Sequence, residues 1–212
     1  VHTIPMKYRL DGNDIHGNII GVRGNKLEVK TLFITYPLQC MNVLKKSLEG
    51  AKIRITDIVA GPIAESIPLL SKKQKVAGVA LINIGAEVTS ILVYENNIPL
   101  LVSTIAVGGN DMTRDIALGM KITLEEAEEI KCGRSSLPHS KRRLDEILEA
   151  RLEDLCVKIT KEFMRIGRQE LLPAGIVVCG SSALTPRLEY VFRSELKLPI
   201  KIATNEIAKL TH

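Results

Sequence analysis

At 212 residues, with 45% apolar and 25% charged side chains, the chain is long enough for one large domain or two small ones with an ample core. The net charge of +5 is modest, and no basic patch is interleaved with aromatics, which argues against a nucleic-acid surface. Pro62, Glu65, Pro68 and Asn83 break the apolar runs, so no segment reads as a membrane span. Cys40, Cys132, Cys156 and Cys179 form no C-x-x-C pair and have no histidine at ligand spacing; they read as reduced structural thiols.

With no Trp and 3% aromatic residues, the core must rest on Ile, Leu, Val and Ala. The chain opens at Val1 without a basic n-region or an apolar h-region, so no secretory leader is expected. An opening in the middle of a strand pattern, without Met, leads us to expect a piece of a longer protein.

Residues 3–10, 19–22 and 26–34 alternate polar and apolar, separated by Asp11-Gly12-Asn13 and Arg23-Gly24-Asn25 turns, and predict three strands. Met41 to Glu49 predicts an amphipathic helix ending at Gly50, and Ile53 to Ile55 another strand. Pro62 opens a helix at a position where a missing N–H costs little, and Ile63 to Leu70 is apolar enough to be buried. The charged stretch Ser71 to Lys75 reads as a solvated linker and a domain boundary.

From Ala77 the pattern changes. Gly78 to Gly85 predicts a strand buried on both faces, Thr89 to Glu95 a second, and Leu100 to Val107 a third after an Asn96-Asn97 turn. Thr123-Leu124-Glu125-Glu126 is a capping box. Leu144, Ile147, Leu148, Leu152, Leu155, Ile159 and Phe163 recur at steps of three and four, predicting one helix of about 25 residues. A buried strand follows at Gly175 to Cys179, then a helix capped by Thr185 with Pro186 at its first position, and a last strand at Pro199 to Ala203.

One stretch points to chemistry. A strand ends on Gly108-Gly109, Asn110-Asp111 opens a helix, and a second helix carries Glu128 and Lys131 one turn apart. Helix starts offer N–H groups and partial positive charge, which suit an anionic ligand such as a nucleotide. An ordinary capped helix with a surface ion pair, worth about 0.3–0.5 kcal/mol, is the plain alternative. His2, His16, His139 and His212 are isolated, and Ser181-Ser182 does not sit in a G-x-S-x-G elbow, so neither a metal site nor a hydrolase is supported.

The order strand, Gly108-Gly109-Asn110-Asp111, helix, then Glu125-Glu126-Ala127-Glu128-Glu129-Ile130-Lys131, resembles the actin-like ATPases. With the Arg142-Arg143 helix start and Leu172-Pro173-Ala174-Gly175-Ile176, the chain more narrowly resembles the FtsA family of bacterial cell-division proteins. The resemblance implies an α/β, ribonuclease-H-like lobe with part of an SHS2-like extra subdomain. It places that subdomain at 1–54, a connecting helix of the first lobe at 55–75, the nucleotide-lobe core at 76–118 and 170–212, and an outer subdomain at 119–169. The family's first phosphate loop and its C-terminal membrane helix would then lie outside the chain.

The resemblance also implies ATP and Mg2+. Where the family carries Asp-Ile-Gly-Gly-Gly-Thr, this chain reads Asn83-Ile84-Gly85-Ala86-Glu87-Val88-Thr89, and Gly180-Ser181-Ser182 stands in for a glycine triplet. Glycines at such loops let N–H groups approach phosphate, and a non-glycine residue forced left-handed costs about 1–2 kcal/mol. Glu87 has the wrong sign for a triphosphate, and Asn83 keeps an acceptor for a magnesium-bound water without the carboxylate charge. The expected ATP-binding set is Asn83, Gly85, Ala86, Glu87, Val88, Thr89, Gly108, Gly109, Glu128, Lys131, Gly180, Ser181 and Ser182. No catalytic residue is assigned, and ATP binding with weak or absent hydrolysis is expected.

The family further implies a partner, the C-terminal tail of the division GTPase FtsZ, with Arg151 first and Arg142 and Arg143 next as its contacts. Self-association into filaments and a peripheral place on the inner face of the cell membrane at the division site complete the expectation. Three alternatives stay open: a sugar-kinase-like or chaperone-like ATPase of the same superfold, a pilus-assembly actin homologue, and a scaffold without nucleotide.

Overall fold

The computed structural model describes residues 2–15, 17, 19–135 and 141–203. The chain forms two compact units, Val1–Ala64 and Glu65–His212.

The first unit holds a three-stranded antiparallel sheet in the order β2-β1-β3, from β1 (His2–Leu10), β2 (Asn13–Ile15) and β3 (Leu27–Ile34). The strand expected at 19–22 is not formed; the second strand instead starts at Asn13. The reason lies in the turn. Asp11 and Gly12 both take positive φ, 49° and 85°, and close a two-residue hairpin with Leu10 opposite Asn13. The Asp11 carboxylate then accepts the N–H groups of Asn25 and Lys26, which draws the long loop back to the turn.

Helix α1 (Leu38–Gly50) starts three residues earlier than its periodicity suggests, and none of its side chains is buried. The strand expected at Ile53–Ile55 is also absent. Lys52 turns left-handed at φ 60° and the Ile53 N–H donates to the Leu48 carbonyl, so those residues end the helix. Helix α2 (Gly61–Leu69) begins at Gly61-Pro62.

In the second unit, the stretch expected as a linker is helix α3 (Lys72–Ala77). A full capping box forms it: the Ser71 hydroxyl accepts the Gln74 N–H and the Gln74 side chain accepts the Ser71 N–H. A local cap outweighs the charge of Lys72, Lys73 and Lys75.

The main sheet has the order β6-β5-β4-β7-β8, from β4 (Val79–Ile84), β5 (Thr89–Glu95), β6 (Ile98–Ile105), β7 (Ile176–Cys179) and β8 (Ile200–Ile202). The consecutive strands β4, β5 and β6 pair antiparallel, whereas β7 and β8 add in parallel on the other side of β4. Central β4 is buried on both faces along Val79 to Ile82, as a strand covered by helices must be.

Helices α4 (Gly109–Met120), α5 (Leu124–Lys131), α6 (Lys141–Arg165) and α7 (Leu188–Leu196) surround this sheet. The periodic face of α6 buries Leu148, Leu152, Leu155, Ile159 and Phe163. Full burial of each contributes about 1.5–3 kcal/mol. Gly119 lets α4 approach α6 closely, because the Ile147 side chain fills the space a β-carbon would need.

Thr185 does not cap α7. Its hydroxyl donates to the Ser182 carbonyl at 2.7 Å, closing a turn, and α7 starts only at Leu188 after Arg187 at φ 67°. Among the described residues, no helix is long and apolar enough to cross a membrane. Among them, no three His, Cys, Asp or Glu gather as a metal cluster.

Candidate nucleotide site

Three loops meet at the carboxyl end of β4, the place where open α/β sheets take ligands: the β4–β5 turn, the β6–α4 junction and the segment after β7. The loops are tied to one another. The Gly109 N–H donates to the Gly85 carbonyl at 2.9 Å, and the Asn110 N–H to the Ala86 carbonyl at 2.7 Å. Ser182 donates its N–H to the Ile84 carbonyl and its hydroxyl to the Gly85 carbonyl.

This changes the role of the helix start. The first N–H groups of α4 were expected to face an anion; they are spent on the neighbouring turn, and the Gly108 N–H is taken by the Asp111 carboxylate at 2.9 Å. Asp111 titrates below the usual carboxylate range: its burial works against ionisation, but the Gly108 N–H and the Arg114 guanidinium outweigh it. Negative charge at the α4 start therefore comes from the chain itself.

The glycines serve the same interlock. A β-carbon on Gly108 would strike the backbone of Ala86 and Glu87, and one on Gly109 would strike the Ser182 hydroxyl. Gly180, at φ 100°, lies against the Asn83 side chain and the Ile84 carbonyl. Thr89 is fully buried and donates to the Val107 carbonyl at 2.8 Å, so its hydroxyl supports the loop from within.

A cavity of about 420 Å³ remains. Of the expected set it is lined by Ala86, Gly109, Glu128, Lys131, Ser181 and Ser182. Asn83, Gly85, Glu87, Val88, Thr89, Gly108 and Gly180 do not line it, and exposed Glu87 lies off its wall. The wall also includes Asn110, Cys132, Gly133, Arg134, Leu184, Thr185 and Pro186, which the sequence reading missed. Cys132 to Arg134 directly follow the Glu128–Lys131 element, so adjacency was the available signal. For Leu184 to Pro186 there was none, since the course of that loop depends on the turn closed by Thr185.

Lys131 is buried, and its ammonium donates to the Glu128 carboxylate at 2.7 Å, the Thr113 hydroxyl at 2.8 Å and the Gly109 carbonyl at 3.1 Å. An ammonium has three protons, and these bonds use them all. Glu128 is held down to about 2: partial burial opposes its ionisation, but hydrogen bonds from Lys131, Thr113 and Cys132 prevail. The pair is thus an internally balanced strut in the cavity wall.

Asn83, at the end of β4, donates its amide to Glu65 Oε1 of α2 at 2.7 Å. The second oxygen of Glu65 is buried and has no hydrogen-bond partner among the described residues. This feature fits a magnesium ion, because a buried carboxylate oxygen without a donor suits a cation.

On α6, Arg151 is not free for a partner's carboxylate. Its guanidinium grips Asp115 of α4 through Nε at 2.5 Å and Nη2 at 2.9 Å. Arg142 and Arg143 lie exposed at the start of the helix, each within reach of Glu146.

Against known proteins, the family model described as "Cell division protein FtsA" matches residues 80–211, more than half the chain. The chain is 30% identical to cell division protein FtsA of Bacillus subtilis over 96% of its own length and 51% of that protein. It is 25% identical to that of Pseudomonas aeruginosa, covering 86% of this chain and 49% of the relative. The chain thus spans about half the length of these relatives. Among solved structures it is similar to the PilM–PilN type IV pilus biogenesis complex, with TM-score 0.73, 20% identity, and coverage of 91% of this chain and 55% of that one. MreB5 of Spiroplasma citri bound to AMPPNP matches with TM-score 0.66 and 18% identity over 81% of this chain and 62% of that one. At those identities the likeness concerns the fold, which is the actin-like one. The chain belongs to the FtsA family of bacterial cell-division proteins.

Proposed function

We propose that this chain is the nucleotide-binding and partner-docking part of an actin-like division adaptor that binds ATP with Mg2+, self-assembles, and links FtsZ to the inner face of the cell membrane at the division site. The observation that carries the nucleotide part is the 420 Å³ cavity where three loops meet beside Glu128 and Lys131. Residues 1–54 are assigned to the SHS2-like subdomain and 55–75 to the connecting helix. Residues 76–118 with 170–212 form the nucleotide-lobe core, and 119–169 the outer subdomain; residues 204–212 lie outside the described ones.

Within the cavity, the carboxylate edge of Glu128 suits sugar hydroxyls, and Ala86, Ser181 and Ser182 form the wall nearest the phosphate loops. Mg2+ would neutralise phosphate charge there. Arg142 and Arg143 are the proposed contacts for the carboxylates of the FtsZ tail, with Arg151 bonding α6 to Asp115 of α4.

The test is titration of the chain with a fluorescent FtsZ tail peptide, comparing wild type with Arg142→Glu/Arg143→Glu. Saturable binding lost in that variant supports the adaptor; absence of binding favours a pilus-type scaffold. A second reading, a scaffold without nucleotide, draws on the α4 N–H groups being consumed by the β4–β5 turn. Calorimetric titration with ATP separates the two.

A further inference from the structure

We propose that Glu65, delivered by α2 and hydrogen-bonded to Asn83, is the carboxylate through which this chain holds the magnesium ion of a bound nucleotide. The proposal rests on the nucleotide reading above and names the residue that replaces the strand-end acid. Mg2+ takes hard, preferably anionic oxygens and keeps several of its waters, so one well-placed carboxylate beside the phosphates is an adequate protein contribution. Asn83 alone lacks that charge.

The geometry supplies it from another element. Asn83 donates its amide N–H to Glu65 Oε1 at 2.7 Å, which orients the carboxylate, while the Asn83 oxygen lies against Gly180. A strand-end Asp could not do this, since two carboxylates at that distance would repel or share a proton. The amide and the acid therefore read as a matched exchange: the charge has moved from β4 to α2, and Asn83 has become the group that aims it.

The second oxygen, Glu65 Oε2, is buried and unpartnered among the described residues. A nearby cation does not serve it. Lys75, from the following helix, reaches the Ser66 hydroxyl at 3.3 Å and the Tyr94 ring at 4.9 Å. Glu65 forms no ion pair among the described residues, and a carboxylate oxygen left in that state calls for a ligand. Its place agrees. Asn83 pairs with Cys179 at the carboxyl ends of the parallel strands β4 and β7, and the next residues, Gly180 to Ser182, lead to the cavity wall.

The experiment is calorimetric titration of the 212-residue chain with ADP, in Mg2+ and in EDTA, for wild type, Glu65→Gln and Asn83→Asp/Glu65→Gln. Circular dichroism confirms that each variant is folded. In the wild type, Mg2+ is expected to strengthen ADP binding. Glu65→Gln, isosteric and still able to accept from Asn83, should lose that strengthening by about tenfold or more while binding metal-free ADP as before. The double variant, which returns the carboxylate to β4, should regain it. Mn2+ electron paramagnetic resonance in the presence of ADP reads the same loss and recovery directly on the metal. The proposal is overturned if Glu65→Gln keeps the full metal dependence, or if returning the carboxylate to β4 restores nothing. If wild type binds ADP neither with Mg2+ nor without it, the nucleotide reading itself falls, and the metal role of Glu65 with it.

Discussion

Ser182 on the β7–α7 loop fills the space where Gly109 lacks a side chain, and its hydroxyl donates onward to the Gly85 carbonyl at 3.3 Å. A serine in a glycine-rich loop thus serves packing between loops, and the glycine opposite it exists to receive the serine. The relation is reciprocal, so the two positions can be tested as a pair.

Gly109→Ala should destabilise the second unit by about 1–3 kcal/mol, because an added methyl meets the Ser182 hydroxyl and the buried Lys131 ammonium. Gly109→Ala/Ser182→Gly should recover most of that loss. Urea unfolding of the three variants measures the coupling; simple additivity would show that the two residues do not press on one another.

Arg151→Ala should cost about 1–2 kcal/mol, since it removes two charge-assisted hydrogen bonds to Asp115, both partners being about a quarter exposed. Asp115→Ala should cost a similar amount, and the double variant little more than either. If Arg151→Ala leaves stability unchanged yet abolishes binding of the FtsZ tail, the arginine contacts the partner directly.

Lys131→Ala should lower the melting temperature even without ligand, by about 1–3 kcal/mol in stability, because it leaves the Thr113 hydroxyl oxygen without its donor and the Glu128 carboxylate without its cation, while the Gly109 carbonyl keeps only the Thr113 hydroxyl. The Glu128 side adds a pH signature. Its folded value, about 2, lies below its ordinary 4.5, so its stabilisation is present above pH 4.5 and fades as pH falls toward 2. Solvent exposure of the carboxylate reduces the size of this effect. Acid titration of stability should therefore be shallower between those values in Lys131→Ala than in wild type.

Cysteine labelling reports on the cavity. Burial first, and then nearby acidic charge, raises Cys156 and Cys179 to about 12, so neither should react with a maleimide in the native state. Cys40 and Cys132 are exposed and should react. Because Cys132 lines the cavity, a bound nucleotide should slow its labelling relative to Cys40. Equal rates with and without nucleotide would place the ligand elsewhere.

Much of the scaffold was legible from short-range pattern. The α6 stripe from Leu148 to Phe163, the Thr123 cap of α5 and the apolar run of β4 each rest on residues within one or two turns of each other, and all three formed where expected. The misreadings were also local at heart. Asp11-Gly12 makes a tighter turn than the one supposed, and the Ser71–Gln74 cap turns a charged stretch into a helix. Both signals were present in the residues and were outweighed by composition.

The site is different in kind. Residue order alone showed which residue types stand at the ends of β4, β6 and β7, and that glycines gather there. Tertiary structure decided what those residues touch. Arg151 meets Asp115 across 36 positions, Lys131 meets Gly109 across 22, and Asn83 meets Glu65 across 18. Whether a donor at such a loop faces a ligand or another loop depends on distances of a few tenths of an ångström between segments far apart in the chain. Periodicity and spacing carry no information on that scale, because hydrogen bonds are directional and short-ranged, and only packing brings their partners within reach.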